Sequence, residues 1–451
     1  MVNLLPFALA IVLTAILRMD KLLLMIAFFT PLSLPLHELA RGLSFDMNLP
    51  TEPLLFGILI LFIFRVLIDW GFDKKILKHP VSLAIYFYLA WMFVTSITST
   101  IPVVSFKFWL AKIWFLVSFY FLGILLFKDK KNIYRFIGLY CGGFILVIMY
   151  TWARHSAFGF DSEQAAHFVM NPFFNDHTSY GAMLAFFIPI LIGIVFSGDL
   201  KVWSRILAAI TLAIFSAALV YSYTRAAWLS LFVAAGFWTI VKLKLRFQPL
   251  FIGAITFVAF VFTFQTQILM YLERNNEQSS SNLATHISSM TNVSSDASNL
   301  ERINRWSCAI QMFEQKPVLG WGPGTYMFQY APFQLTANRT IISTNSGDRG
   351  NAHSEYLGPL AESGLVGLLS FLILIITIFY IGIHTYTRSN EKEIRMIVLS
   401  ALIGLFTYLI HGFLNNFLDT DKASIPFWGF VAIIVVFDFY TKGKALETPQ
   451  S

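Results

Sequence analysis

The chain has 451 residues, of which 57% are apolar, 17% aromatic and only 13% charged. Soluble domains carry about 25% charged residues, so a soluble protein is excluded. The net charge of +7 fits basic loops drawn to anionic headgroups, and no nucleic-acid partner is expected.

Crossing ~30 Å of hydrocarbon takes about 20 apolar residues as a helix. Such segments are expected at 4–17, 22–36, 53–69, 81–98, 108–127, 132–152, 179–197, 204–221, 226–241 and 249–270. Three more follow a polar interruption, at 357–383, 396–413 and 424–440. The first two are short, so the count is 12–13. Spans of a β-barrel would be ~10 residues long with strict alternation, which these lack. The expected fold is an all-α polytopic membrane protein with one large periplasmic loop containing short helices. Its parts are an N-terminal bundle (1–270), the loop (271–356), C-terminal helices (357–441) and a cytoplasmic tail (442–451).

The first segment lacks a basic start and a small-residue cleavage site, and is expected to be retained. The two cysteines, Cys141 and Cys308, suggest no disulfide, and no Cys/His spacing suggests a metal. No cofactor is expected.

Basic residues sort the loops. Nineteen Lys and Arg fall on one alternating set, including Lys74, Lys75, Lys78, Lys128, Lys130, Lys131, Arg388, Lys392 and Lys442, against six on the opposite short loops. The first set is expected in the cytoplasm. The 153–178 loop, Arg225 and the 271–356 loop then share the outer side.

Three places on that side carry candidate chemistry. Arg225 follows Ser222-Tyr223-Thr224 and precedes Ala226-Ala227. It is either an anchor snorkelling to headgroups or a fixed cation at a cavity mouth. A guanidinium matches phosphate oxygens bidentately and keeps its charge. Arg302 and Arg305 lie three apart in Glu301-Arg302-Ile303-Asn304-Arg305-Trp306, so they share a helix face. The alternative there is a surface helix paired by Glu301. The spacing of Trp306, Ile310 and Phe313 predicts an amphipathic helix lying on the membrane. The glycine-rich turn Gly320-Trp321-Gly322-Pro323-Gly324 lacks a closing Gly-Lys-Ser/Thr, which argues against a nucleotide. His353 opens the 357–383 span, where a helix dipole would keep it neutral and able to accept a proton; a structural histidine is the alternative. His177, beside Asp176, is a second candidate of that kind.

Taken together, Ser222-x-x-Arg225, Arg302-x-x-x-Trp306, Pro317-x-x-Gly320-x-Gly322-x-Gly324, Ala352-His353 and Glu362-x-Gly364-Leu365-x-Gly367 resemble the O-antigen ligase/polymerase superfamily in order and spacing. The resemblance covers about residues 175–415. It implies a metal-independent, inverting glycosyltransferase of the bacterial inner membrane, with its active site facing the periplasm. The implied donor is a glycan on undecaprenyl pyrophosphate, and in ligases the acceptor is lipid A–core. Carried over, Arg225 and Arg302 hold the donor pyrophosphate and His353 is the general base. Arg305 takes a supporting role, with Glu355, His177 and Trp306 as further substrate-binding candidates. Ser354-Glu355 after His353 departs from the Asn common in the family, which bears on the acceptor.

Alternatives remain within and beyond this class. O-antigen polymerase and protein O-oligosaccharyltransferase share the donor and differ in acceptor. A small-anion transporter would place charges at mid-membrane; Arg65 and Lys112 are the charges near spans, both close enough to an end to snorkel.

Overall fold

The computed structural model describes residues 14, 17–39, 47–68, 72–243, 297–334 and 350–443. Twelve helices of eight or more residues organise the described residues. They are α1 (Met19–Phe29), α2 (Thr51–Ile68), α3 (Pro80–Ile97), α4 (Pro102–Phe127), α5 (Lys130–Ser156) and α6 (His177–Val195), then α7 (Val202–Tyr221), α8 (Arg225–Lys242), α9 (Ala297–Gln315), α10 (Leu357–Arg388), α11 (Lys392–His411) and α12 (Asp421–Thr441). Nine of these are long and apolar enough to cross a membrane, all except α1, α8 and α9. The fold is an all-α polytopic membrane protein. The expected spans at 4–17 and 249–270 lie outside the described residues. Each of the others overlaps a helix, but the one expected at 22–36 ends at Phe29, too short to cross a membrane, and Leu34–Pro35 pairs with Asn48–Leu49 as a short strand.

Helix boundaries follow local chemistry. Pro80 and Pro102 occupy first-turn positions of α3 and α4, where the missing N–H costs nothing and φ is preset. That start puts α4 ahead of the expected 108. Asp176 caps α6, its Oδ1 accepting the Ser179 N–H at 2.7 Å, one of the orphan donors of a helix start.

α12 is the central helix, buried along nearly its whole length. Buried carboxylates fasten it at both ends. At one end Asp438 accepts from Lys442 Nζ at 2.6 Å and lies 3.1 Å from His79 Nε2. At the other, Asp421 Oδ2 accepts from Ser33 Oγ at 2.6 Å and Thr51 Oγ1 at 2.5 Å, while Lys422 Nζ donates to Ser33 Oγ at 2.7 Å. Buried charges persist when paired and hydrogen-bonded in this way.

The contacts define two bundle ends. The basic end gathers the His79–Asp438–Lys442 group, the Tyr440 hydroxyl on the Lys128 carbonyl and the Lys130–Glu391 pair. The opposite end gathers Thr224 on α6, Glu355 on the 412–418 segment, and Trp321 on Thr100.

The described part of the large loop packs on that second end. α9 lies along α10 over a small core that includes Cys308, Met312, Tyr326, Tyr330 and Ala352. The glycine turn between them is a packing device. Gly322 (φ +114) abuts Ser99 and Gly324 (φ +73) abuts Phe108. Gly364 breaks α10 at φ 70 and ψ −170, letting Leu365 N–H donate to the Pro317 carbonyl at 2.9 Å. A Cβ at Gly364 would collide with the Val318 carbonyl.

Candidate active site at the end opposite the basic loops

His353 lies on the irregular segment leading into α10, four residues before the helix begins. Its φ is +47, a conformation rare outside glycine that costs about 1–3 kcal/mol. Asn351 Oδ1 accepts its backbone N–H at 3.0 Å, and Trp306 Nε1 donates to its carbonyl at 3.2 Å. Among the described residues the other non-glycine with positive φ is Tyr223, at 51, two residues before Arg225. Backbone strain of this kind concentrates at functional sites.

The imidazole of His353 is held down to about 4, chiefly by burial, then by the positive charges of Arg302 and Arg305; Asp176 and Glu301 oppose them. The helix dipole expected from sequence is not the cause, since the residue stands outside α10. The result is the same: a neutral ring at pH 7.

Arg302 is the hub of this end. It lies within electrostatic reach of His353, His177 and His411, and Asp176 acts on the same three rings. The site therefore draws on the α5–α6 loop, α9, the segment before α10 and the end of α11. His177 meets His167 edge to face, with ring centroids 4.0 Å apart and planes inclined at 60°.

Arg225 starts α8. Thr224 Oγ1 donates to the His177 carbonyl at 2.7 Å, and the Ala226 backbone lies beside His411. The backbone flanking Arg225 is thus part of the cluster. Its guanidinium reaches outward to Glu163 at 3.3 Å, with both side chains more than 40% exposed.

Three further candidates have definite surroundings. Arg305 is buried, its Nε donating to Glu301 Oε1 at 2.6 Å and its guanidinium 4.0 Å from the Tyr330 ring centroid. The pair with Glu301 lies within α9, and the Tyr330 contact ties the helix to its loop. Trp306 supports His353 through the backbone. Glu355 Oε1 accepts from the Phe417 and Leu418 N–H groups at 2.7 and 2.9 Å and from the Tyr408 hydroxyl. Burial raises its carboxyl above the usual range, with Lys112 opposing.

His411 was invisible to motif reasoning. It is buried at the end of α11, its Nε2 3.2 Å from Asn415 Nδ2. The signal available was an ionisable residue closing an apolar span. Lys112 was expected to snorkel, yet it is buried within the protein and donates to the Leu418 carbonyl at 2.6 Å. With Glu355, Glu362 and Asp419 it lines a cavity of about 190 Å³ beside Asn351 and Ser354.

Residues 210–372 match the family described as O-antigen ligase. That match supports the O-antigen ligase-like superfamily. It covers a little over a third of the chain, from within α7 to within α10, and contains Arg225, Arg302 and His353. No curated protein matches the chain. An O-antigen ligase-like enzyme, a glycosyltransferase of the ligase or polymerase type, is what the family implies, with glycan and lipid substrates.

Proposed function

We propose that this O-antigen ligase-like protein moves a glycan from undecaprenyl pyrophosphate to an acceptor hydroxyl at the periplasmic face of the bacterial inner membrane. The reaction we favour is O-antigen ligation to lipid A–core. Polymerisation and protein O-glycosylation share the same donor. The supporting observation is that Arg302 and a strained, neutral His353 occupy one electrostatic neighbourhood, next to the start of the Arg225 helix.

The chemistry divides between them. The acceptor oxygen attacks the anomeric carbon as the bond from that carbon to the pyrophosphate oxygen breaks, with inversion. The hydroxyl proton passes to His353, and the departing diphosphate keeps the bonding electron pair. Arg302 and Arg225 stabilise that charge; arginines on transferring phosphates contribute about 10³–10⁵ in rate where measured, and a general base about 10²–10⁴. Inversion requires His353 on the sugar face opposite the pyrophosphate. Arg225 leaves Glu163 to take the diphosphate, which costs little because an exposed ion pair is worth about 0–1 kcal/mol.

The test is the glycan that accumulates on undecaprenyl pyrophosphate in cells lacking the protein. Full-length chains identify a ligase and single repeat units a polymerase. Unchanged glycans with altered ion uptake would contradict the reading.

A further inference from the structure

His353 marks a division. Its ring answers to Arg302, Arg305, Asp176 and Glu301, whereas Asn351 and Ser354 on either side of it line the 190 Å³ cavity. The two sides differ in charge. Three carboxylates face the cavity, those of Glu355, Glu362 and Asp419, against one amine, that of Lys112. The amine is engaged by the Leu418 carbonyl, Glu355 Oε1 by the Phe417 and Leu418 N–H groups and Glu362 Oε1 by the Tyr326 N–H at 3.0 Å, while Asp419 is exposed. Asn416 also lines the cavity, and its Oδ1 is buried without a hydrogen-bond partner among the described residues. A buried amide oxygen in that state calls for a donor.

The walls add aromatic rings. Trp91 is one, held in place by its indole N–H on the Ser363 carbonyl at 2.8 Å. Carboxylates and an amide oxygen accept from hydroxyls, and aromatic faces cover the C–H side of a sugar ring. A phosphate would face three carboxylates here. At ~30 Å³ per water, the space equals about six waters, enough for one sugar ring and too small for a lipid anchor.

Building on the glycosyl-transfer reading, we propose that this cavity is an acceptor subsite, binding an uncharged sugar residue that adjoins the attacked one. The donor diphosphate lies on the Arg302 side and the acceptor glycan on the acidic side, with the His353 segment between them.

Two variants test this in the full chain reconstituted in nanodiscs. Asp419→Asn removes an accepting charge. Gly358→Leu fills the cavity, since a Cβ at Gly358 meets only the Ala352 Cβ at 4.0 Å. The probes are a phosphate-free hexose core oligosaccharide and undecaprenyl pyrophosphate. Both variants should weaken the oligosaccharide by about tenfold or more, the scale of a lost charged hydrogen bond. The diphosphate lipid should bind as before, and thermal melting should be unchanged. Unaltered oligosaccharide binding in folded variants, absent binding to the unsubstituted protein, or equal loss for both probes would overturn the subsite. If Gly358→Leu fails to fold, Asp419→Asn decides alone. Arg302→Gln serves as the separate control: should it leave the diphosphate lipid bound as before, the glycosyl-transfer reading itself fails.

Discussion

The indole N–H of Trp306 donates to the backbone carbonyl of His353 at 3.2 Å, so a helix of the large loop holds the proposed base in its left-handed conformation. A hydrogen bond of this kind is worth about 0.5–1.5 kcal/mol. Trp306→Phe keeps an aromatic ring, smaller than the indole, and removes the donor. It should lower kcat about three- to tenfold while leaving donor affinity near its original value, as initial rates alongside donor titration will show. An unchanged kcat would free His353 from this support.

Acid should inactivate the enzyme late. His353 is depressed to about 4, below the usual ~6.5, so the acid limb of kcat/KM belongs near pH 4. The sign for stability agrees. A folded value below the unfolded one gives stability that is fully present above about 6.5 and lost as pH falls toward 4. Arg302→Gln removes a depressing charge and should move the limb upward. Bound diphosphate acts in the same direction, so the limb in kcat should lie above that in kcat/KM. Coincident limbs in all three profiles would contradict the proximity of Arg302 and His353.

Glu163 competes with the donor for Arg225 across 3.3 Å. Because the pair is exposed, its loss costs about 0–1 kcal/mol. Glu163→Gln should tighten donor binding by about two- to threefold without harming folding, measured as donor KM in the reconstituted enzyme. Weaker donor binding would show that Glu163 assists rather than competes.

Gly364 and Gly57 make a contrasting pair. Gly364→Ala demands a positive φ from alanine and drives its Cβ into the Val318 carbonyl, so it should cost upward of about 1–3 kcal/mol. Gly57 sits in α2, and a methyl group added there meets nothing within 4 Å, so Gly57→Ala should gain about 0.5–1 kcal/mol. Melting temperatures in detergent separate the two.

Much of this architecture is legible in the residues themselves. Apolar runs near 20 residues announce the spans, and the sorting of Lys and Arg puts Arg225, Arg302 and His353 at one end. The positive φ of His353 leaves no trace, because left-handed backbone is normally signalled by glycine. The burial of Lys112 depends on Leu418, 306 residues away, and hydropathy cannot report such a pairing. Arg305 and Arg302 look alike in the sequence, yet Glu301 and Tyr330 engage Arg305 whereas Arg302 lies near three histidines. His411 belongs to no motif and reaches the site only because α11 ends beside Ala226.

The most direct measurement is glycan transfer by the purified protein in liposomes, from undecaprenyl-pyrophosphate-linked glycan to lipid A–core, for the unsubstituted chain and His353→Ala. The variant should fold, bind donor as before and lose about 10²–10⁴ in rate, the scale of a general base. Transfer by His353→Ala at the unsubstituted rate would contradict the account.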